Sequence, residues 1–165
     1  LGSRRDVLVF QTEPLESSVE VTGPIEVKLW VSSSAPDTDF TAKLIDVYPP
    51  SGWYPMGYAL NLTDSIMRLR YRNGPEEADF LSPGEVGQVT ITLYPTSNLF
   101  TAGHRIRLDI SSSNFPRFDV NPNTGDAIGT ERRRNGADNT VYHSEACLSQ
   151  IVLPIVPTRS PSTRS

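Results

Sequence analysis

Strict alternation of apolar and polar residues is clearest at Ile25-Glu26-Val27-Lys28-Leu29-Trp30-Val31-Ser32, where Ile25, Val27, Leu29 and Val31 share one face. A two-residue period belongs to an extended chain, so this run predicts a half-buried strand. The period recurs at Val89-Thr90-Ile91-Thr92-Leu93 and at His104-Arg105-Ile106-Arg107-Leu108-Asp109-Ile110, each reading as an antiparallel strand with one wet face. Weaker candidates are Val7 to Gln11, Val19 to Val21, Phe40 to Val47, Tyr58 to Leu62, Ile66 to Tyr71, Val141 to Tyr142 and Leu148 to Val156. Turn signals punctuate these runs at Gly23-Pro24, Pro49-Pro50-Ser51-Gly52, Asn73-Gly74-Pro75, Ser82-Pro83-Gly84 and Ala102-Gly103. Short strands at regular spacing with turns between them predict an all-β sandwich. No stretch of about 12 residues carries a capped 3.6-residue apolar period. Any helix is therefore expected to be short and to lie within residues 113–139, the longest connection between strand candidates.

Composition narrows this picture. With 165 residues, 37% hydrophobic and 21% charged, the chain suits one domain, expected over residues 6–157, followed by a polar tail at 158–165. The 14 Pro and 11 Gly are spread along the chain, so they mark turns rather than a disordered tract. No apolar run approaches the roughly 18 residues of a membrane span. The first residues, Leu1 to Asp6, lack the apolar centre of a secretory signal, so a cytoplasmic location is expected. Nineteen acidic against 15 basic residues give a net charge of −4, and the arginines form no stripe interleaved with stacking aromatics, so nucleic acid is not an expected partner. Cys147 stands alone and there are two His residues, which leaves no intramolecular disulfide and no Cys/His zinc set. No cofactor or metal is expected.

Candidate chemistry is sparse. A self-sufficient serine hydrolase needs a nucleophile on a strained turn, typically in G-x-S-x-G, with a His base and an acid. The chain has no such motif, and its bases are His104 and His143. His104 is in phase with Ile106 and Leu108 and so points to the core, whereas His143 precedes a polar stretch and reads as a surface or loop-anchoring residue. Asp37-Thr38-Asp39 offers two carboxylates to a hard cation, but carboxylates that bond turn amides just ahead of a strand are the favoured reading. Asn61-Leu62-Thr63 fits a glycosylation sequon and reads as a chance match. Arg68, Arg70 and Arg72, placed on one strand face, are expected to form an outward row of cations, either solvated beside Glu76, Glu77 and Asp79 or used for docking. Arg132-Arg133-Arg134 reads as a solvated loop. Trp30 shares the polar face of Glu26 and Lys28 and therefore needs a cover, either a loop of the same domain or a contact with another domain or ligand. Trp53 and Tyr54, within Trp53-Tyr54-Pro55-Met56 at the tip of a hairpin loop, pose the same choice and are expected to reinforce the patch around Trp30.

Motifs in one order then suggest a family. They are Thr12-Glu13-Pro14-Leu15, Val21-Thr22-Gly23-Pro24, Val31-Ser32-Ser33-Ser34-Ala35-Pro36-Asp37-Thr38-Asp39-Phe40, Lys43-Leu44-Ile45-Asp46-Val47, Arg68-Leu69-Arg70-Tyr71-Arg72, Ser82-Pro83-Gly84-Glu85, Gly103-His104-Arg105-Ile106-Arg107, Ser111-Ser112-Ser113-Asn114-Phe115-Pro116 and Asn121-Pro122-Asn123-Thr124-Gly125. From about Asp6 to Pro157 the chain resembles the C-terminal domain of the X-Pro dipeptidyl-peptidase and cocaine esterase family of α/β-hydrolases.

That resemblance implies a jelly-roll β-sandwich, similar to galactose-binding modules, packed on an α/β-hydrolase domain earlier in the same polypeptide. It implies acyl transfer by a Ser-His-Asp triad that lies wholly in the hydrolase domain. This chain would then be non-catalytic, walling the substrate pocket and supporting interdomain or homodimer contacts. Leu29 and Trp30 match an apolar-aromatic pair that related esterases set against the acyl pocket. Near the end, the family has His-Pro-Ser where this chain reads Ala146-Cys147-Leu148-Ser149, so no role is carried over to His143. The alternatives are a free-standing carbohydrate-binding module using Trp53 and Tyr54, and, further off, an independent metal-dependent enzyme.

Overall fold

The computed structural model describes residues 4–127, 129–130 and 133–157; the expected tail at 158–165, and Arg132 of the basic run, lie outside the described residues. The strands are β1 (Val7–Gln11), β2 (Val19–Ser33), β3 (Asp39–Tyr48), β4 (Tyr58–Arg68), β5 (Gly87–Phe100), β6 (Arg105–Ser111), β7 (Asn139–Ser144), β8 (Cys147–Leu148), β9 (Gln150–Val152) and β10 (Ile155–Val156). One sheet has the order β1-β6-β3-β4. The other is organised by β2, which pairs with β5 along one edge and, along its other edge, with β10 at Glu20 and Val21, β9 at Glu26 to Lys28 and β7 at Trp30 to Ser33. β8 closes a hairpin with β7. These pairings are antiparallel, and the two sheets make a jelly-roll β-sandwich.

The alternation in β2 sets the core. Val21, Ile25, Val27 and Val31 are completely buried and Leu29 is 2% exposed, facing Phe40, Ala42 and Leu44 of β3 and Leu108 and Ile110 of β6 within one cluster. Each such side chain contributes on the order of 1.5–3 kcal/mol when fully withdrawn from water. Polar links also cross between the sheets: the Thr63 hydroxyl donates to the Tyr94 carbonyl at 3.1 Å and the Asn98 amide to Asp46 at 3.2 Å.

Three sequence expectations need correction. Gly23-Pro24 is not a turn, because β2 runs straight through it. The register with β5 passes from Gly23 and Thr96 to Ile25 and Leu93, so Pro24 and Pro95, which have no amide to donate, both fall in the interrupted stretch of ladder. Secondly, Arg68, Arg70 and Arg72 do not share a strand face. β4 ends at Arg68 and a 3-10 turn follows at Leu69–Tyr71; Leu69 enters the core and Arg70 is drawn inward to a buried carboxylate. Lastly, that turn is the only helical element among the described residues, so the connection between β6 and β7 contains no described helix.

The β3 to β4 hairpin loop has a defined shape. The Tyr54 carbonyl accepts the amides of Ser51 and Gly57, each at 2.9 Å. Gly57 sits at φ +76°, where a Cβ would come 2.6 Å from the Tyr48 carbonyl oxygen. Gly57→Ala is expected to cost about 1–3 kcal/mol in denaturant unfolding. Gly52→Ala, which meets nothing within 4 Å, should stay near wild type.

Candidate functional site

Three groups of chemically notable side chains emerge, and they lie apart. The first is a buried charge network where the 34–38 connection enters β3. Asp37, fully buried, accepts the Arg70 backbone amide at 3.0 Å, Arg70 Nε at 2.8 Å and the Asn121 side-chain amide at 2.8 Å. The same Asn121 nitrogen donates to Asp39 at 2.8 Å, and Asp39 also accepts Arg68 Nε at 2.9 Å. Arg70 Nη1 donates to the Asp126 carbonyl at 2.8 Å, and its guanidinium lies 5.0 Å from the centre of the Phe80 ring. Of the two carboxylates, only Asp37 accepts a backbone amide, and it is that of Arg70 in the 3-10 turn 33 residues on rather than one just ahead of the strand; the other donors to both carboxylates are the side chains of Arg68, Arg70 and Asn121. These carboxylates are held by donors from the end of β4 and from the two connections that follow β4 and β6, so their role is to fasten those connections to the end of the sandwich.

The second group is His104. Its Nδ1 lies 2.8 Å from Asp46, its ring packs on Tyr48 at 4.2 Å, and 9% of the residue is exposed. This imidazole has the His-Asp half of a hydrolytic triad, but it is largely buried between Asp46 and the Tyr48 ring. His143 lies exposed on β7, opposite Leu148. Among the described residues no three His, Cys, Asp or Glu side chains are placed to hold a metal ion.

The third group comprises the aromatic surface residues. Leu29 and Trp30 point to opposite faces of β2. Leu29 is part of the core, so its side chain does not reach the outer surface, whereas Trp30 is half-buried on the outer face between its cross-strand neighbours Gln88 and Tyr142. The Trp30 amide donates to Ser149 Oγ at 2.9 Å, and the Tyr142 hydroxyl lies 3.0 Å from Ser32 Oγ, so β7 and the approach to β9 form a partial local cover.

Trp53 and Met56 project from the hairpin loop at 92% and 94% exposure. Behind them, Tyr54 stacks on Tyr58 at 5.2 Å and Tyr58 meets Tyr48 at 5.9 Å, which links the tip to the His104 contact. Trp30 is near the β2 end that leads to Asp39, while this loop follows Tyr48 at the opposite end of β3. At about 3.3 Å per residue, the length of β3 separates them by roughly 30 Å. Trp53 and Tyr54 therefore do not join a patch around Trp30.

Asp37 gives the first group its stability test. Removing Arg70 leaves that carboxylate buried without its cation, so Arg70→Ala is expected to cost about 3–5 kcal/mol in denaturant unfolding. Glu26→Ala, which removes an exposed partner of Lys28, should cost under about 1 kcal/mol.

Comparisons with known proteins agree with this architecture. The sequence profile of the X-Pro dipeptidyl-peptidase C-terminal non-catalytic domain matches residues 2–152. The chain is 46% identical to cocaine esterase of Rhodococcus sp. (strain MB1 Bresler) over 158 residues, covering 94% of this chain and 26% of that protein. An aminopeptidase from a marine sediment Thaumarchaeota archaeon superimposes with a TM-score of 0.87 at 34% identity, covering 94% of this chain and 26% of its own. An alpha-amino acid ester hydrolase gives 0.87 and 34%, covering 93% of this chain and 26% of its own. The chain thus spans about a quarter of the length of these relatives. With a matching profile over residues 2–152 and 46% identity to a relative across 94% of its length, the chain belongs to the family of X-Pro dipeptidyl-peptidase C-terminal non-catalytic domains.

Proposed function

We propose that this chain is the non-catalytic C-terminal domain of a serine hydrolase of the acyl-esterase or X-Pro dipeptidyl-peptidase type. It packs on the α/β-hydrolase domain of the same polypeptide, helps wall the substrate pocket, and belongs to an assembly of two copies. The observation that carries the reading is the exposed hairpin tip. Trp53 and Met56 stand almost wholly in solvent on a loop held in shape by hydrogen bonds, and a defined apolar tip is suited to docking. Covering each side chain contributes on the order of 1.5–3 kcal/mol. Relatives named as a cocaine esterase and an alpha-amino acid ester hydrolase support ester cleavage as the parent's chemistry. In that chemistry the nucleophile, base and acid come from outside this chain, and Trp30 offers an aromatic wall from the outer face of β2.

A carbohydrate-binding reading is favoured by one feature, the open Trp53 ring, which could stack on a sugar. Saturable glycan binding, lost in Trp53→Ala, would support it over the docking role.

The leading reading is tested by labelling the native polypeptide with a fluorophosphonate, which marks activated serines. A labelled band far larger than the 18.2 kDa of this chain is expected. An unlabelled band at 18.2 kDa would overturn it. In the full-length enzyme, Trp30→Ala is expected to shift substrate selectivity or lower the melting temperature, and unaltered kinetics and melting would remove Trp30 from the proposed pocket wall.

A further inference from the structure

An asparagine followed by glycine can lose its side-chain amide without an enzyme. The backbone nitrogen of the glycine attacks the asparagine Cγ, and the side-chain nitrogen leaves as ammonia. Water then opens the cyclic succinimide at either carbonyl, giving aspartate or isoaspartate. Glycine favours the step because no Cβ obstructs the approach of its nitrogen. The pair occurs twice in this chain, at Asn73-Gly74 and Asn135-Gly136, and the fold treats the two differently.

Asn73 is restrained at both reacting ends. The Gly74 amide donates to the Tyr71 carbonyl at 3.2 Å, and Asn73 Nδ2 donates to Asp79 at 2.6 Å, so both bonds must break before the two atoms meet. The attacking species is a deprotonated amide, and negative charge nearby opposes its formation. Glu76, Glu77 and Asp79 share this loop with Asn73, and the neighbouring cation, Arg72, is held on Asp79 at 2.7 Å.

Asn135 is the reverse case. It is exposed, and neither its side chain nor the Gly136 amide has a partner among the described residues. Exposed Arg133 and Arg134 precede it directly, and the next carboxylate along the chain is Asp138. Two cations against one anion favour the deprotonated amide.

We propose that Asn135 is a site of spontaneous deamidation, and that isoaspartate formed there loosens the connection before β7. The Asn135 amide donates to the Pro122 carbonyl at 2.9 Å, and its carbonyl accepts Asn123 Nδ2 at 2.9 Å. Three residues on, the Asp138 amide donates to Ser34 Oγ at 2.9 Å and its carbonyl accepts the Ser34 amide at 3.0 Å. Only Gly136 and Ala137 lie between these anchors. Isoaspartate routes the main chain through its side chain, which adds an atom within this short span and turns the carbonyl that receives Asn123 into a free carboxylate. The displaced segment is the one that carries Asn121, a member of the buried network around Asp37 and Asp39.

The test incubates the full-length polypeptide at mildly alkaline pH and maps peptide masses at both sites over time. Asn135 is expected to lose its amide at least about tenfold faster than Asn73, the effect of one pK unit on the attacking group. Gly136→Ala, whose Cβ meets nothing within 4 Å, should slow the loss about tenfold. Arg133→Ser with Arg134→Ser should also slow it, and urea should speed the loss at Asn73 by freeing its two bonds. Loss at Asn73 as fast as at Asn135 in the folded protein would overturn the site. So would an Asn135 amide that persists in the folded protein and is lost in urea. Hydrogen exchange over residues 121–126 reads the consequence. It should be faster in the isoaspartate fraction and unchanged in Asn135→Asp, which has the charge without the extra atom. Exchange unaltered by isoaspartate, or raised equally by Asn135→Asp, would overturn the loosening and leave the deamidation site standing.

Discussion

The sandwich depends on the burial of one face of β2. Four of the other five strands in its sheet pair directly with it, β5 on one edge and β10, β9 and β7 on the other. The row Val21, Ile25, Val27, Leu29 and Val31 holds the strand against the first sheet. A slip of one residue would exchange this row for Glu26, Lys28 and Trp30, which makes the register expensive to change. The same alternation puts Trp30 on the outer face, so the residue that looks anomalous in the sequence follows directly from what anchors the core.

A second constraint acts at the end of the sandwich. Asp37, Arg70 and Asn121 come from three connections, Asp39 and Arg68 from the adjoining ends of β3 and β4, and they are bonded to one another at 2.8–3.0 Å. Buried charges are tolerated when they are paired and hydrogen-bonded, and breaking such a set costs more than forming it contributes. The network gives the long connection before β7 a fixed attachment without a helix. At the other end, the Asp46, His104, Tyr48, Tyr58 and Tyr54 contacts lead from the interior to an exposed tip. Polar fastening at one end and aromatic display at the other suit a domain that contributes surfaces rather than reacting groups.

Most of the strands were legible because the two-residue period survives in β2, β5 and β6, and the inward direction of His104 followed from the same phase, whereas their order within the sheets was not. The faults are local and physical. Gly23-Pro24 reads as a turn, yet a bulge in β5 at Tyr94-Pro95, opposite Pro24, lets the strand continue. The arginine row read as a strand face fails because the backbone tightens after Arg68, and the partner that draws Arg70 inward, Asp37, is 33 residues earlier. Pairings of that separation leave no periodic trace. Trp53 and Tyr54 were legible as a loop tip, but their distance from Trp30 depends on which ends of β2 and β3 meet. Leu29 joins Trp30 only through the family resemblance; the alternation itself already puts Leu29 on the inner face, where it packs in the core.

The central claim is that the exposed hairpin tip is a docking surface for the remainder of a larger polypeptide. Hydroxyl-radical footprinting of the full-length protein, read at Trp53, Tyr54 and Met56, tests this most directly because these side chains react readily when solvated. The account predicts oxidation slowed to the level of core residues such as Phe40 and Phe100. Oxidation at the rate of the same residues in the denatured chain would contradict it.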